Sequence, residues 1–191
     1  MIALPSAARV AALQGAQPGA AENFPAGAPW EAIAENHRCN AVLWREEDLA
    51  RRTHVPDAEI VANKRAIDVH NQRRNDAVER IDAALHALLD EAMQGAPRQH
   101  SETPGMIIDR MSILALKCAA MRAQSLRADA DAAHAARCRE RLAILEAQRE
   151  DLVRCLDALL ADCAAGRARF RLYRQFKMYN DPATNPALRG R

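Results

Sequence analysis

Apolar residues recur at alternating spacings of three and four along the second half of the chain, which is the period of an amphipathic α-helix. The clearest run has Arg149 as its one charged member and comprises Cys138, Leu142, Leu145, Arg149, Leu152, Leu156, Leu159 and Cys163. A similar run precedes it: Ile107, Met111, Leu114, Cys118 and Met121. Both patterns favour long helices that pack along a coiled-coil-like seam.

Glycine and proline mark the ends of four predicted helices, because proline is favoured in the first turn and glycine just past the last one. The helices run from Pro29 to about Arg52, from Asp57 to about Met93, from Pro104 to about Arg127, and from Asp129 or Asp131 to Gly166. The sequence therefore predicts an all-α protein, an antiparallel four-helix bundle with long helices.

Composition and cysteine usage narrow the class of protein. Residues 1–29 are rich in Ala, Gly and Pro, which predicts a flexible N-terminal arm ahead of a single helical domain over residues 30–188. No stretch approaches the ~20 apolar residues of a membrane span. The five cysteines are scattered and form no CxxC pair. A reducing, cytoplasmic location is expected for such a set.

Polar residues occupy positions of the first two helices that should face the core. Helical neighbours three and four residues apart share a face, so these groups should converge, joined by Asp109 of the third helix. The candidate ligand-binding residues here are His37, Asn40, Trp44, Glu47, Asp48, Asp68, Asn71, Arg74, Asn75, Glu79 and Asp109.

Three interpretations of this polar stripe remain open at the level of sequence. It is a solvated helix face, or a buried structural network in which Arg74 or Arg149 pairs with the carboxylates, or a ligand site between the first two helices. Polar groups left unpaired in a core cost ~1–3 kcal/mol each, so a buried stripe requires partners or a ligand.

A metal site is an alternative within the same stripe. Glu47 and Asp48, with Glu79 and Asp82, offer the oxygen ligands that Mg²⁺ or Mn²⁺ prefers. The chain would then be a divalent-metal-dependent hydrolase of a nucleotide or sugar phosphate; the leading interpretation involves no cofactor. No Gly-rich phosphate loop, nucleophile elbow or Cys/His dyad is present, so the sequence leaves open whether this is an enzyme.

The C-terminal segment is basic and aromatic. Phe170, Tyr173, Phe176 and Tyr179 alternate with arginine and lysine, and their spacing predicts an added helix. It either docks on the bundle or clamps a phosphate or sugar through Lys177, Tyr179 and Asn180. A nucleic-acid partner is not expected, because the remainder of the chain is net acidic and contains no recognised nucleic-acid module.

Four sequence blocks stand out between about Trp30 and Leu188. They are Asn40-x-x-Leu43-Trp44-x-x-Glu47-Asp48-x-Ala50-Arg51; Lys64-Arg65-x-Ile67-Asp68-x-x-Asn71-Gln72-x-Arg74-Asn75-Asp76; Thr103-Pro104-Gly105-x-Ile107-Ile108-Asp109-Arg110-x-Ser112-Ile113-Leu114; and Tyr173-x-Gln175-Phe176-Lys177-Met178-Tyr179-Asn180-Asp181-Pro182-x-x-Asn185-Pro186. Together these blocks resemble an uncharacterised bacterial family, domain of unknown function 4254.

This resemblance implies a small helical protein, often encoded near glycosyltransferases of cell-envelope polysaccharide synthesis. It carries over no catalytic residues. The expected function is an accessory or ligand-binding role in envelope glycan biosynthesis, with an anionic sugar, a nucleotide or a glycosyltransferase-type protein as partner. A homodimer built on the fourth-helix seam is a further alternative.

Overall fold

The computed structural model describes residues 4–16, 25–176, 178 and 181–189. Within these residues the chain is mostly helical, which confirms the all-α class. None of the described helices is long and apolar enough to cross a membrane. The elements are α1 (Ala7–Gly15), α2 (Trp30–Leu49), α3 (Asp57–Met93), β1 (Arg98–Gln99), α4 (Pro104–Ser125), α5 (Ala132–Ala164), β2 (Ala168–Arg169) and a 3-10 helix (Pro186–Leu188).

The caps explain where the helices begin and end. Thr103 precedes Pro104 and its hydroxyl accepts the Met106 N–H at 3.3 Å, which starts α4. Of the two candidate caps for α5, Asp131 is the one used, since its carboxylate accepts the His134 N–H at 2.6 Å. Gly95 and Gly166 follow α3 and α5 with φ of 74° and 67°, a conformation that glycine adopts without strain.

The long helices pack mainly in two pairs, α2 with α3 and α4 with α5. Met111 of α4 and Leu156 of α5 are fully buried, and the other members of the two predicted seams are buried or half-buried. These seams therefore face the core, as their spacing predicted. Burial of this aliphatic surface is the main force that holds the helices together.

The prediction of a flexible arm over residues 1–29 is wrong for residues 7–15. They form α1, whose Ala7, Val10 and Leu13 are buried against the core. Asp157 of α5 fixes the start of α1, since its carboxylate accepts the Ala7 N–H at 2.8 Å. A helix this short gains its stability from packing rather than from propensity, so its alanine-rich sequence alone did not reveal it.

The prediction of an added C-terminal helix is also wrong for the described residues. Ala168 and Arg169 instead pair in parallel with Arg98 and Gln99. Phe170 is buried at the edge of His86, with ring centroids 5.6 Å apart. Residues 171–176 follow without regular structure. The strand pairing fixes the backbone here, and of the three described aromatic residues of this segment, Phe170, Tyr173 and Phe176, Phe170 alone is buried in the core.

Candidate functional site

A cluster of four polar side chains lies between α2 and α4. Asn36 and Asn40 donate to the same Asp109 oxygen at 2.7 and 2.9 Å. Asn40 also donates to the Ser112 hydroxyl at 3.0 Å. Asn36, Asn40 and Ser112 are buried, so the partially hydrated Asp109 carboxylate is held by neutral amide donors from inside the protein.

His37 extends this cluster. Its Nδ1 lies 2.8 Å from the Ser112 hydroxyl, which already accepts a hydrogen from Asn40. Burial, reinforced by the charge of Arg149, lowers the pKa of His37, so the ring is neutral at pH 7. A neutral imidazole has one donor and one acceptor nitrogen, so the tautomer sets whether Nδ1 donates to the Ser112 hydroxyl or accepts from it.

Arg74 of α3 faces the Asp109 carboxylate without reaching it. The distance from Arg74 Nε to Asp109 Oδ2 is 4.0 Å, which is too long for a hydrogen bond. Arg74 donates from Nη2 to the Asn75 side chain at 3.2 Å, but its Nε is buried and has no hydrogen-bond partner among the described residues. A charged group with an unused buried donor is the least satisfied member of the site.

Arg74 opens onto a groove of about 330 Å³, here called the Arg74 groove. Trp44, which is 37% exposed, lines this groove, and Arg51 pairs at 3.0 Å with Glu47, four residues earlier in the chain. The groove combines one aromatic face, carboxylate and amide groups, and a cation. Its lining residues are Asn40, Leu43, Trp44, Glu47, Asp48, Arg51, Asn71, Arg74, Ile113 and Leu116.

The structure brings together most of the predicted ligand-binding residues. His37, Asn40 and Asp109 belong to the polar cluster, Asn75 contacts Arg74, and the groove collects Trp44, Glu47, Asp48, Asn71 and Arg74. Asp68 is exposed and lies outside the groove lining. Lys177, Tyr179 and Asn180 lie outside the described residues.

Sequence reasoning missed Asn36 and Ser112. Asn36 lies one helical turn before Asn40, so the same spacing that selected Asn40 also selects it. Ser112 is separated from Asp109 by three positions on α4 and lies in the third of the matched blocks. Both could have been found by extending the polar face by one turn in each direction.

Glu79 and Asp82 are engaged in other contacts than those of the groove. Burial favours a raised pKa for Glu79, but donation from Arg174 at 2.7 Å and from the Gln175 N–H at 2.9 Å outweighs it, and the pKa is lowered. Burial raises the pKa of Asp82 to about 6, although Thr103 and the Gly105 N–H each donate to it at 2.6 Å. Asp82 thus ties α3 to the start of α4.

Of the four carboxylates in the metal alternative, only Glu47 and Asp48 line the groove. Among the described residues, no group of three or more His, Cys, Asp and Glu side chains is placed to hold a metal ion. The metal site stays a prediction, now confined to two adjacent carboxylates on α2.

Comparison with known proteins supports the family resemblance. The model of a family described as "Protein of unknown function (DUF4254)" matches residues 30–172. The chain belongs to this family, and the match includes every residue that lines the Arg74 groove. None of the curated proteins and none of the solved structures compared with the chain matches it.

Proposed function

We propose that this protein binds an anionic sugar in the Arg74 groove, as an accessory, non-catalytic component of envelope glycan synthesis. The observation that carries the proposal is the buried Arg74 Nε, which has no hydrogen-bond partner within the described residues. A carboxylate or phosphate oxygen of a ligand would accept that hydrogen and meet the guanidinium charge.

The remaining groove residues suit the rest of a sugar. The apolar face of a sugar ring stacks on an aromatic side chain, and the exposed Trp44 ring offers such a platform. Sugar hydroxyls donate to carboxylates, which Glu47 and Asp48 provide, and accept from amides, which Asn71 provides. A volume of about 330 Å³ is within the ~300–1,000 Å³ typical of small-molecule sites.

A binding role explains these contacts better than the divalent-metal hydrolase. Catalysis by Mg²⁺ or Mn²⁺ needs carboxylates that are free to ligate an ion. Glu79 is occupied by Arg174, and Asp82 caps α4 from inside the core. With Glu47 paired to Arg51, the alternative retains Asp48 as its one uncommitted ligand.

Two finer expectations accompany the proposal. The four long helices are proposed to run antiparallel as one bundle, since connections of a few residues join α2 to α3 and α4 to α5. A cytoplasmic location is proposed because all five cysteines are free thiols. The α5 seam offered for a homodimer is mostly buried within the chain itself, so a protein partner would use another surface.

Calorimetric titration with glucuronic acid, and with glucose as the uncharged comparison, tests the proposal. Arg74→Met removes the unpartnered donor and should weaken glucuronic acid binding by about tenfold or more. Arg73→Met removes an equal charge from the exposed neighbouring position and should leave binding unchanged. Circular dichroism confirms that both variants fold.

The proposal also requires the Trp44 ring, so Trp44→Ala should weaken both the charged sugar and any binding of glucose. Equal affinity of wild type, Arg74→Met and Arg73→Met for glucuronic acid would remove the role assigned to Arg74. The absence of any heat with the wild-type protein would remove the anionic sugar as the ligand class.

A further inference from the structure

A second cavity, of about 510 Å³, lies between α1, α2, α4 and α5. It is here called the Arg149 cavity. His37 lines this cavity, whereas its cluster partner Asn40 lines the Arg74 groove. The polar cluster therefore separates two spaces, and the second one is closed on one side by Gln14, Gly15 and Ala16 at the end of α1.

Arg149 is the uncompensated cation of this cavity. Its Nη2 donates to the Ala11 carbonyl at 2.6 Å, and its Nε is buried without a hydrogen-bond partner in the described part of the chain. The two acids that line the cavity are paired elsewhere, Glu146 with Arg122 at 2.6 Å and Glu150 with Arg154 at 2.9 Å. No carboxylate of the described residues that line the cavity therefore neutralises the Arg149 guanidinium.

Gln14 contributes a buried hydrogen-bond acceptor to the same cavity. It is 3% exposed, and its amide nitrogen donates to the Ile108 carbonyl at 2.9 Å, which fixes the orientation of the side chain. The amide oxygen is buried, and no described residue donates to it. Within the ranges that the structure describes, one cavity therefore holds a cationic donor without an acceptor and an amide acceptor without a donor, a combination that is costly unless something fills it.

We infer that the Arg149 cavity is a second binding site, which takes a phosphate group carried by a hydroxylated carbon skeleton, that is, a phosphosugar or phosphopolyol. A phosphate oxygen accepts the hydrogen of Arg149 Nε and neutralises its charge. A hydroxyl group of the same ligand donates to Gln14 Oε1. The neutral His37 ring contributes one further donor or acceptor without adding charge.

This site is distinct from the Arg74 groove, because the two have only the apolar Leu116 in common among their lining residues, and Arg149 and Arg74 each line one of them alone. Its volume accommodates a phosphorylated monosaccharide within the usual ~300–1,000 Å³ range. The alternative occupant is water, which can bridge Gln14 to Arg149 but cannot neutralise the guanidinium. Binding that requires a phosphate group, and that is lost with an uncharged sugar, therefore distinguishes a ligand site from a water-filled cavity.

Calorimetric titration with inorganic phosphate, glucose 1-phosphate and glucose tests the inference. Both phosphates should bind, glucose 1-phosphate more tightly, and glucose should not bind in this cavity. Arg149→Met should weaken both phosphates by at least about tenfold. Arg139→Met, an exposed arginine on the same helix, should change neither. Gln14→Met should remove the advantage of glucose 1-phosphate over inorganic phosphate.

A steric variant keeps the test decisive if Arg149→Met does not fold. Ala119 is exposed on α4 and lines the cavity, so Ala119→Met fills the space without touching a hydrogen bond and should abolish binding. Ala123→Met, one turn further along the same helix and outside the lining, should bind phosphate normally.

Three outcomes overturn the inference. They are no phosphate binding by the wild-type protein, equal binding by Ala119→Met and Ala123→Met, or loss of phosphate binding in Arg74→Met. The last would place the phosphate in the Arg74 groove. Conversely, phosphate binding that survives Arg74→Met would stand even if glucuronic acid fails to bind, so the two proposals fail separately.

Discussion

Asp82 is a carboxyl group buried by the approach of α4 to α3, with two donors fixed on it. An aspartate in an unfolded chain has the ordinary pKa of 3.8, while burial raises the pKa of Asp82 in the folded protein to about 6. The folded state therefore binds more protons between these two values than the unfolded state does. Asp82 stabilises the fold fully below about pH 4 and loses that contribution as the pH rises through 6.

The test compares Asp82→Asn with wild type by urea unfolding from pH 4 to pH 7. The free energy of unfolding of wild type, relative to the variant, should fall by about 2–3 kcal/mol over this range. The difference between the two proteins must be used, because the lowered pKa of His37 has the opposite pH dependence. A difference that stays constant with pH contradicts the assignment.

At the scale of secondary-structure elements, the Glu79 side chain of α3 holds the segment that follows β2 through hydrogen bonds from Arg174 and the Gln175 N–H. Glu79→Gln keeps the shape but loses the charge that meets Arg174, so residues 171–176 should detach more often. Limited trypsin digestion should cut after Arg174 several-fold faster than in wild type. The matched control is Glu91→Gln, an exposed position on the same helix, which should digest at the wild-type rate.

Four of the five α-helices in the described part of the chain could be predicted from the sequence, and the first could not. Helices α2 to α5 were predictable because each is long, periodic and bounded by a breaker such as Gly95 or Gly166. Helix α1 was not, because nine alanine-rich residues carry too little pattern until Val10 meets the core. The aromatic spacing after Phe170 is helical in period, but the pairing with β1 decides the backbone there.

Some residues of the candidate site could also be predicted from the sequence, whereas others depend on contacts between distant parts of the chain. Spacing along α2 and α3 selected Asn40, Asn71 and Arg74 because a shared helix face is a local property. Spacing could not predict that Glu79 and Asp82, on the same stripe, are taken by residues far along the chain. Nor could it reveal the Arg149 cavity, since its second polar wall is Gln14 of α1.

At the scale of the whole molecule, Phe170 closes the core where the last long helix has already ended. It is 2% exposed and contacts His86 of α3. Phe170→Ala should lower the free energy of unfolding by about 3–5 kcal/mol, because it leaves a cavity among residues that cannot collapse fully. Urea titration measures the loss.

Phe176 provides the matched control, since it is the same residue type, six positions later, and 84% exposed. Phe176→Ala should change the free energy of unfolding by less than about 0.5 kcal/mol. Equal losses in the two variants would mean that the segment beyond β2 packs differently from the arrangement described.

The short parallel pairing of β1 and β2 limits how α4 and α5 can be aligned with each other. Backbone hydrogen bonds join the two ends of the segment from residue 98 to residue 168, which contains both helices. The His100 N–H adds one more such bond, to the Arg169 carbonyl. Neither helix can slide along its axis by one turn without tearing that junction. A core of leucine, alanine and cysteine side chains specifies the axial register of two packed helices only weakly, because these apolar residues can replace one another in the contacts. The backbone hydrogen bonds between β1 and β2 therefore select one register of α4 against α5.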